Sequence, residues 1–227
     1  MSKGTAIRTM FDAIAGRYDV MNRVMTMGQD QKWRRFVVRQ AGDPGDGVIL
    51  DLATGTGDIA ALSRESYRAS TVIGGDFSIN MLREAKKRFA DKEIFWQATD
   101  ANNLPYKSDS FESATFGYLL RNVDDVVGVL KEVNRVLKKG GKVVCLDTTP
   151  PAKNILYPFI QLYFRLGIPL LGKLIARDED AYSYLTGSTM GFYSADDLAE
   201  AFKKAGFTSV GYKKFMLGTI AVHWGEK

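Results

Sequence analysis

A short run of acidic, small and glycine residues has the composition of a ligand-binding turn. It spans residues 51–58 and follows the apolar run that begins at Val48. Gly55 and Gly57 allow the backbone to turn sharply and let a ligand approach the main chain. A helix after such a turn adds free N–H groups and the positive end of its dipole. Because Ala60 stands where the dinucleotide-binding fingerprint also accepts alanine, the turn alone fits two classes of cofactor.

Three carboxylates help to separate those two classes. Asp51 would repel a pyrophosphate, but it suits a ligand with positive charge, such as the sulfonium and amino group of S-adenosylmethionine. Asp76 lies 19 residues after Gly57 and can accept hydrogen bonds from both ribose hydroxyls in either class. Asp100, followed by Ala101, can accept a hydrogen bond from the adenine amino group. Together they favour a methyl donor; the alternative is an NAD(P)-dependent oxidoreductase that uses the same turn.

The surrounding pattern predicts the elements that must hold these side chains at one edge of a sheet. Short apolar runs predict strands, and apolar residues at three- and four-residue steps predict helices. The predicted strands are 48–52, 71–76, 93–98, 111–117, 142–146, 208–215 and 218–224. The predicted helices are 59–66, 78–89, 126–137, which the segment 138–141 should close, and one that Ser194 opens and Gly206 closes. This order predicts an α/β, doubly wound, mostly parallel sheet with an antiparallel C-terminal pair, and ligands bind outside the carboxyl ends of such strands.

The length predicts a single domain with four parts. Residues 1–45 are interpreted as a helical N-terminal lid, because apolar residues recur there at helical spacing. The other parts are a cofactor-binding half (46–150), an apolar substrate-side insertion (151–193) and a C-terminal helix with a strand pair (194–227). The apolar stretch 155–175 contains Arg165 and Lys173, which argue against a membrane-spanning helix.

Composition excludes several kinds of site. With one cysteine, Cys145, and one histidine, His223, no internal disulfide and no cysteine- or histidine-rich metal site is expected. Both residues lie in apolar runs and are predicted to be structural. No signal peptide is recognisable at residues 1–10, so we expect a cytoplasmic protein. The net charge of +5 comes without a long basic run; nucleic acid is not expected, and a weak attraction to an anionic membrane surface is left open.

Longer motifs give the chain a family resemblance. Those that carry it are Phe11-Asp12-x-Ile14-Ala15-x-x-Tyr18-Asp19-x-x-Asn22, Gly28, Trp33-Arg34, Gly55-Thr56-Gly57-Asp58, Leu104-Pro105, Leu120-Arg121-Asn122-Val123, Arg135-Val136-Leu137-Lys138-x-Gly140-Gly141, Tyr184-Leu185-x-x-Ser188 and Ala205-Gly206-Phe207. With them the chain resembles class I methyltransferases, which have a Rossmann-like fold, and more closely the ubiquinone/menaquinone biosynthesis C-methyltransferases. The resemblance covers nearly the whole chain, and its N-terminal and Leu-Arg-Asn-Val motifs are the most specific.

The resemblance implies S-adenosylmethionine-dependent methylation of a ring carbon of a polyprenylated quinol, of the demethylmenaquinol kind. The candidate cofactor-binding residues are Asp51, Gly55, Thr56, Gly57, Asp76, Phe77, Asp100, Ala101 and Gly117. The candidate catalytic residues are Tyr18, Arg121 and Asn122. A ring carbon is a poor nucleophile until an adjacent hydroxyl is ionised, and Arg121 could favour that phenolate, while Tyr18 and Asn122 orient it. Alternatively, Arg121 forms an ion pair that stabilises the fold and takes no part in catalysis.

The sequence also allows other interpretations of the acceptor, the catalytic base and the apolar stretch. The acceptor could be another lipophilic or aromatic molecule, or the chain could bind the cofactor without catalysis. Asp147, Tyr18 and a water held by Arg121 are all candidates for the catalytic base. The stretch 155–175 could line an entrance for the polyprenyl tail, meet the inner face of a membrane, or form an ordinary core or dimer helix.

The chain also departs from the family pattern at three places. Leu119 stands where the family commonly has glycine, residues 147–149 replace Glu-Phe-Ser, and Tyr193 replaces a proline. These departures bear on the choice of ring substrate and leave the cofactor assignment unchanged.

Overall fold

The computed structural model describes residues 20, 22–151, 155, 157–163, 167 and 187–227. Within them, all seven strands form one sheet in the order β3-β2-β1-β4-β5-β7-β6. The strands are β1 (Val48–Leu52), β2 (Thr71–Asp76), β3 (Ile94–Ala98), β4 (Phe111–Gly117), β5 (Leu137–Thr148), β6 (Thr208–Phe215) and β7 (Ile220–Glu226). β1 to β5 are mutually parallel, and β7 runs antiparallel to both β5 and β6. The predicted seven-stranded α/β fold is therefore confirmed.

Helices cover both faces of this sheet. They are α1 (Asp30–Ala41), α2 (Asp58–Ser66), α3 (Ile79–Arg88), α4 (Val126–Val136), α5 (Tyr157–Leu162) and α6 (Ala195–Lys204). Side chains of β5 alternate between the two faces, as a strand's period of two requires. Val143 and Cys145 pack in the core that contains α4 and α6, whereas Val144 and Leu146 pack with Trp33 of α1 on the other face.

The strand order reverses between β1 and β4, where ligands bind in doubly wound sheets. The register brings the strand ends together, with Leu52 opposite both Gly75 and Phe116 and Gly117 opposite Leu146. The carboxyl ends of β1, β2, β4 and β5 therefore form one continuous edge.

The prediction that residues 138–141 close a helix is wrong. α4 ends at Val136, and β5 begins directly at Leu137. The pairing of β4 with β5 shifts register in this segment. Gly140 has a φ of +77°. Its backbone N–H donates a hydrogen bond to the carbonyl oxygen of Lys227 at 2.9 Å. This glycine therefore belongs to an irregularity in β5 and not to the end of a helix. The local sequence is compatible with both.

The C-terminal elements agree with prediction except at the two ends of β7, which spans Ile220–Glu226 rather than 218–224. Ser194 caps α6 by accepting a hydrogen bond from the backbone N–H of Asp197 at 3.1 Å, and Gly206 follows the helix with φ at +93°. β7 begins at Ile220 rather than at residue 218, because Met216–Gly218 forms a short 3₁₀ turn.

The single cysteine and the single histidine both lie in the core, as predicted. Cys145 is fully buried, and burial raises the pKa of its thiol well above the ordinary value. His223 is buried with Nε2 at 2.8 Å from the carbonyl oxygen of Ala195. Burial lowers the pKa of His223 to about 4. Among the described residues, no helix is long and apolar enough to cross a membrane.

Candidate active site

The turn after β1 has the left-handed backbone that its glycines predict. Gly55 and Gly57 have φ values of +57° and +88°. A Cβ added at Gly57 would lie 2.6 Å from the ring of Trp96, whereas one added at Gly55 would meet no atom of the described residues within 4 Å. Gly57 is therefore packed against β3, and the described part of the chain leaves open space at Gly55.

Asp51 holds this turn from beneath. Its carboxylate accepts hydrogen bonds from the hydroxyls of Thr54 at 2.5 Å and Thr115 at 2.7 Å and from the N–H of Ala60 at 3.1 Å. Burial raises the pKa of Asp51 to about 6, although these bonds and the nearby charge of Arg34 act in the opposite direction. The contacts of Asp51 join the turn to β4 and to the start of α2. Its predicted contact with a cationic ligand stays a prediction.

Asp76 joins the turn to the next strand end. Its Oδ2 accepts a hydrogen bond from the N–H of Gly55 at 2.7 Å, and its Oδ1 accepts one from the N–H of Ser78 at 2.8 Å. Ser78 in turn caps α3 by accepting from the N–H of Met81 at 3.1 Å. Phe77, between the two, is 45% exposed. Asp76 is thus placed at the rim of the turn, on the side of the open Gly55.

The end of β3 lies beside the end of β2. The N–H of Thr99 donates to the carbonyl oxygen of Asp76 at 2.9 Å. The next residue, Asp100, is exposed, and its Oδ1 accepts from the backbone and side-chain nitrogens of Asn102 at 2.9 and 2.8 Å. Ala101 is buried. The structure therefore brings the predicted residues of β1, β2 and β3 to one edge.

Arg121 occupies the other half of that edge. It lies in a 3₁₀ helix, Leu120–Asn122, just after β4, and its side chain is only 3% exposed. Nη1 lies 3.3 Å from Oδ1 of Asp147 and 3.4 Å from the hydroxyl oxygen of Thr148. Within the part of the chain that the structure describes, the buried Nε of Arg121 has no hydrogen-bond partner.

Tyr118 shapes this half of the site. Its φ of +62° is uncommon for a bulky residue and marks a constrained backbone. The guanidinium carbon of Arg121 lies 4.8 Å from the centre of its ring, and its carbonyl oxygen accepts from Nδ2 of Asn122 at 2.8 Å. Tyr118 thereby contacts two of the three candidate catalytic residues, Arg121 and Asn122. Sequence reasoning did not assign it a role, although its place directly after Gly117 at a strand end was a usable signal.

Asp147 anchors Arg121, and both of its carboxylate oxygens accept hydrogen bonds. Besides Nη1, it accepts from the backbone N–H groups of Arg121 at 3.4 Å and Thr148 at 2.8 Å. Burial raises the pKa of Asp147, and the charge of Arg121 opposes that shift. The Thr148 hydroxyl also lies 3.1 Å from that of Thr189, which is fully buried. This hydroxyl network includes Thr148, where the chain departs from the family pattern. The sequence did not predict the network. Tyr18, another candidate, lies outside the described residues.

Comparisons with known proteins decide the family. The model of the family described as "ubiE/COQ5 methyltransferase family" matches residues 1–227. The chain belongs to the ubiE/COQ5 methyltransferase family. The resemblance drawn from its motifs is thereby confirmed.

Relatives of this ubiE/COQ5 member cover almost its full length. It is 69% identical over 227 residues to a ubiquinone/menaquinone biosynthesis C-methyltransferase of Desulfotalea psychrophila, covering 100% of this chain and 92% of the relative. It is 37% identical over 226 residues to a demethylmenaquinone methyltransferase of Lactiplantibacillus plantarum, covering 97% and 95%. These findings confirm an S-adenosylmethionine-dependent methyltransferase that acts on carbon in quinone biosynthesis.

A solved structure confirms the fold class of this ubiE/COQ5 member. A protein of Thermotoga maritima described as a S-adenosylmethionine-dependent methyltransferase and possible histamine N-methyltransferase superposes with a TM-score of 0.68 at 21% identity. The match covers 96% of this chain and 98% of that one. The fold is therefore that of the class I methyltransferases.

Proposed function

We propose that this chain transfers the methyl group of S-adenosylmethionine to a ring carbon of a polyprenylated quinol of the demethylmenaquinol kind. The observation that carries the proposal is the buried guanidinium of Arg121, whose Nε has no partner among the described residues. A buried donor left unpaired is costly. It therefore suggests a ligand atom that accepts from it, and a quinol oxygen is such an atom.

The turn residues fit the cofactor. Gly55 leaves room above its backbone, and Asp76 lies beside it through the 2.7 Å bond to the Gly55 N–H. A carboxylate can accept about four hydrogen bonds, so Asp76 is suited to the two ribose hydroxyls. Asp100 is exposed at the next strand end and is suited to the adenine amino group. Thr56, Gly57, Phe77, Ala101 and Gly117 complete the proposed cofactor-binding set, with Asp51 beneath them.

The acceptor side is proposed to work by ionising and orienting the quinol. When bound, S-adenosylmethionine supplies an electrophilic methyl group on a positively charged sulfur. Arg121 stabilises the phenolate oxygen by its charge and by the N–H of Nε. Asp147 holds the guanidinium against the ring of Tyr118, so that Nε keeps its direction. Asn122 and Tyr18 orient the ring, and positioning supplies much of the acceleration of an in-line transfer.

A direct assay tests this proposal. Purified chain is incubated with methyl-labelled S-adenosylmethionine and reduced demethylmenaquinol, and the product is analysed by mass spectrometry. We expect label on the ring carbon. A panel with the reduced ubiquinone precursor and with short-chain aromatic phenols tests the departures at Leu119, residues 147–149 and Tyr193. Methylation of the phenols but of neither quinol would replace the proposed substrate with another lipophilic aromatic. Quinones from cells that lack the protein should accumulate in demethylated form.

The same proposal places the protein at the inner face of a membrane, where a polyprenylated substrate resides. Exposed apolar side chains support it: Val20 is 56% exposed, Met27 75% and Leu162 57%. The hydroxyl of Tyr163 donates to the carbonyl of Met25 at 3.0 Å, which joins the two segments that carry them. Apolar residues beside an exposed cation such as Arg23 suit an anionic lipid surface.

Vesicle binding tests this membrane contact. Substituting Met27→Ser and Leu162→Ser together should lower cosedimentation with anionic vesicles. Phe95→Ser is the matched control, because Phe95 is 64% exposed but lies on β3 at the far end of the sheet. Equal loss in both proteins would refute a specific docking face.

A further inference from the structure

Two arginines from helices on either side of the glycine turn converge on its end. Asp58, the first residue of α2, forms an ion pair with Arg34 of α1. Its other oxygen, Oδ1, accepts a hydrogen bond from Nη2 of Arg88 in α3 at 2.9 Å. Nη1 of Arg88 donates to the carbonyl oxygen of Thr56 at 3.2 Å. The last three residues of the turn are therefore held from both sides.

Arg34 also extends this network towards the N-terminal segment. Its side chain is 6% exposed, and Nη1 lies 3.5 Å from Oδ2 of Asp30. Asp30 is itself buried, and it accepts a hydrogen bond from the hydroxyl of Thr26 at 3.2 Å and pairs with Nε of Arg23 at 3.5 Å. A continuous chain of charged and polar contacts thus runs from residues 23–30 to the turn.

Packing of α1 against α2 does not depend on these charges. Trp33 and Val37 of α1 share one apolar cluster with Ile59 of α2. Apolar burial supplies the attraction between the two helices. A buried ion pair adds little stability beyond well-packed apolar residues, because both charges lose their hydration. The docking of α1 therefore does not explain why the chain contains the Arg34–Asp58 ion pair.

We propose that Arg34 is a positioning residue for the cofactor-binding turn, and that it makes the affinity for S-adenosylmethionine depend on the docked position of α1. The inference rests on the proposed role of the turn. Arg34 fixes Asp58, Asp58 begins α2, and the N–H of Ala60 in the first turn of α2 is bonded to Asp51 at 3.1 Å. Gly55, Thr56 and Gly57 lie between these two fixed points. Arg34 itself touches no reacting atom.

Three variants test the inference in the full chain. Arg34→Met removes the charge but keeps most of the side-chain volume, and Asp58 retains Arg88. Arg34→Lys keeps the charge but replaces the planar guanidinium, whose Nη1 lies near both Asp30 and Asp58, with a single ammonium. Arg64→Met is the matched control, because Arg64 lies on α2 at the end remote from the turn and pairs with Glu93 at 2.6 Å. Folding is checked by circular dichroism and thermal unfolding.

Calorimetry with S-adenosylmethionine and with its demethylated product, S-adenosylhomocysteine, gives the first readout. We expect Arg34→Met to raise both dissociation constants at least tenfold, Arg34→Lys to recover most of that loss, and Arg64→Met to stay within twofold of the unsubstituted chain.

Steady-state kinetics separates positioning from general damage. Arg34→Met should raise KM for the methyl donor at least tenfold and leave kcat at saturating donor within threefold. Unchanged donor affinity in a folded Arg34→Met protein would overturn the inference, and so would an equal loss in Arg64→Met. These outcomes leave the proposed function intact, because the unsubstituted chain still binds and methylates. Failure of the unsubstituted chain to bind S-adenosylmethionine would instead overturn both.

Discussion

The donor side and the acceptor side of the site differ in how their buried polar groups are paired. On the donor side, the chain itself supplies the partners of Asp51 and bonds both oxygens of Asp76. On the acceptor side, Arg121 pairs with Asp147 through Nη1, whereas its buried Nε has no partner among the described residues. Most buried polar groups in proteins are bonded; Nε of Arg121 is one of a few buried side-chain atoms among the described residues that are not.

This difference suggests a division of labour. The proposed donor turn is held by the chain's own hydrogen bonds, and the described residues leave open space above Gly55. On the proposed acceptor side, one directed donor, Nε of Arg121, has no partner among the described residues. Four substitutions test this contrast, from the largest expected effect to the smallest.

Arg121→Met should have the largest effect on turnover. Loss of the charge and of the Nε donor is expected to lower kcat by about a hundredfold to a thousandfold, or roughly 3–4 kcal/mol, as for other donors that stabilise an oxyanion. The dissociation constant of S-adenosylmethionine should stay within threefold. Kinetics and calorimetry on the same protein measure both. A parallel fall in turnover and donor affinity would mean that Arg121 is structural.

Stability must be checked in this variant. Removal of Arg121 leaves Asp147 buried without its cation, which costs about 3–5 kcal/mol when one partner of a buried pair is lost. Arg121→Lys serves as the control, because it keeps the charge but lacks the Nε donor.

Asp51→Asn should change how stability depends on pH. Burial raises the pKa of Asp51 in the folded state to about 6 from an ordinary 3.8. Its stabilising contribution is therefore fully present below about pH 4 and is lost as pH rises through about 6. The free energy of unfolding of the variant, relative to the unsubstituted chain, should rise by about 2 kcal/mol from about pH 4 to about pH 7.5.

Denaturant unfolding of both proteins across that range measures the difference. His223, whose folded-state pKa is lowered by burial to about 4, titrates in both proteins and cancels in the comparison. A difference that is flat with pH would show that Asp51 is not desolvated, and the donor turn would not be held as described.

Asp76→Ala should weaken cofactor binding at least tenfold, about 1.4 kcal/mol, through lost hydrogen bonds to the ribose. Turnover at saturating cofactor should change little, which is the opposite of the result expected for Arg121. Calorimetry gives the affinity. Unchanged affinity would exclude the ribose contact, and the bond from the Gly55 N–H would then be the whole role of Asp76.

Gly55→Ala should have the smallest effect on folding. Its φ of +57° costs a non-glycine residue about 1 kcal/mol, and no atom of the described residues obstructs the added methyl. Gly57→Ala is the comparison, since its methyl would meet the ring of Trp96 and should destabilise the fold more. Cofactor affinity that falls in Gly55→Ala by more than tenfold would place the ligand directly over Gly55. Unchanged affinity would move it elsewhere on the edge.

Much of the fold followed from local patterns. Apolar runs located all seven strands, and cap residues such as Ser78 and Ser194 located helix starts, because each signal acts within a few residues. The segment 138–141 was misassigned, since basic residues followed by glycine are typical of a helix end. Its actual conformation depends on pairing with the C-terminal residue, about ninety positions away in sequence.

The candidate site divides in the same way. The carboxylates Asp51, Asp76 and Asp100 were predicted from their positions at strand ends, and the structure brings them to one edge. The contacts that give Asp51 its raised pKa come from Thr115 on another strand and were not predictable from spacing. The ion pair of Arg121 with Asp147 joins the ends of β4 and β5 and also needed the sheet register.

The sequence by itself determined the fold class, the family and the donor turn, because those depend on short motifs and on periodicity. Only the tertiary structure decided how each charge is partnered. It placed Asp147 against Arg121, left Nε of Arg121 without a described partner, and brought Arg34 and Arg88 to Asp58 from two different helices. Electrostatic and hydrogen-bond energies depend on distances between groups far apart in sequence, and the packing of the sheet and its helices sets those distances.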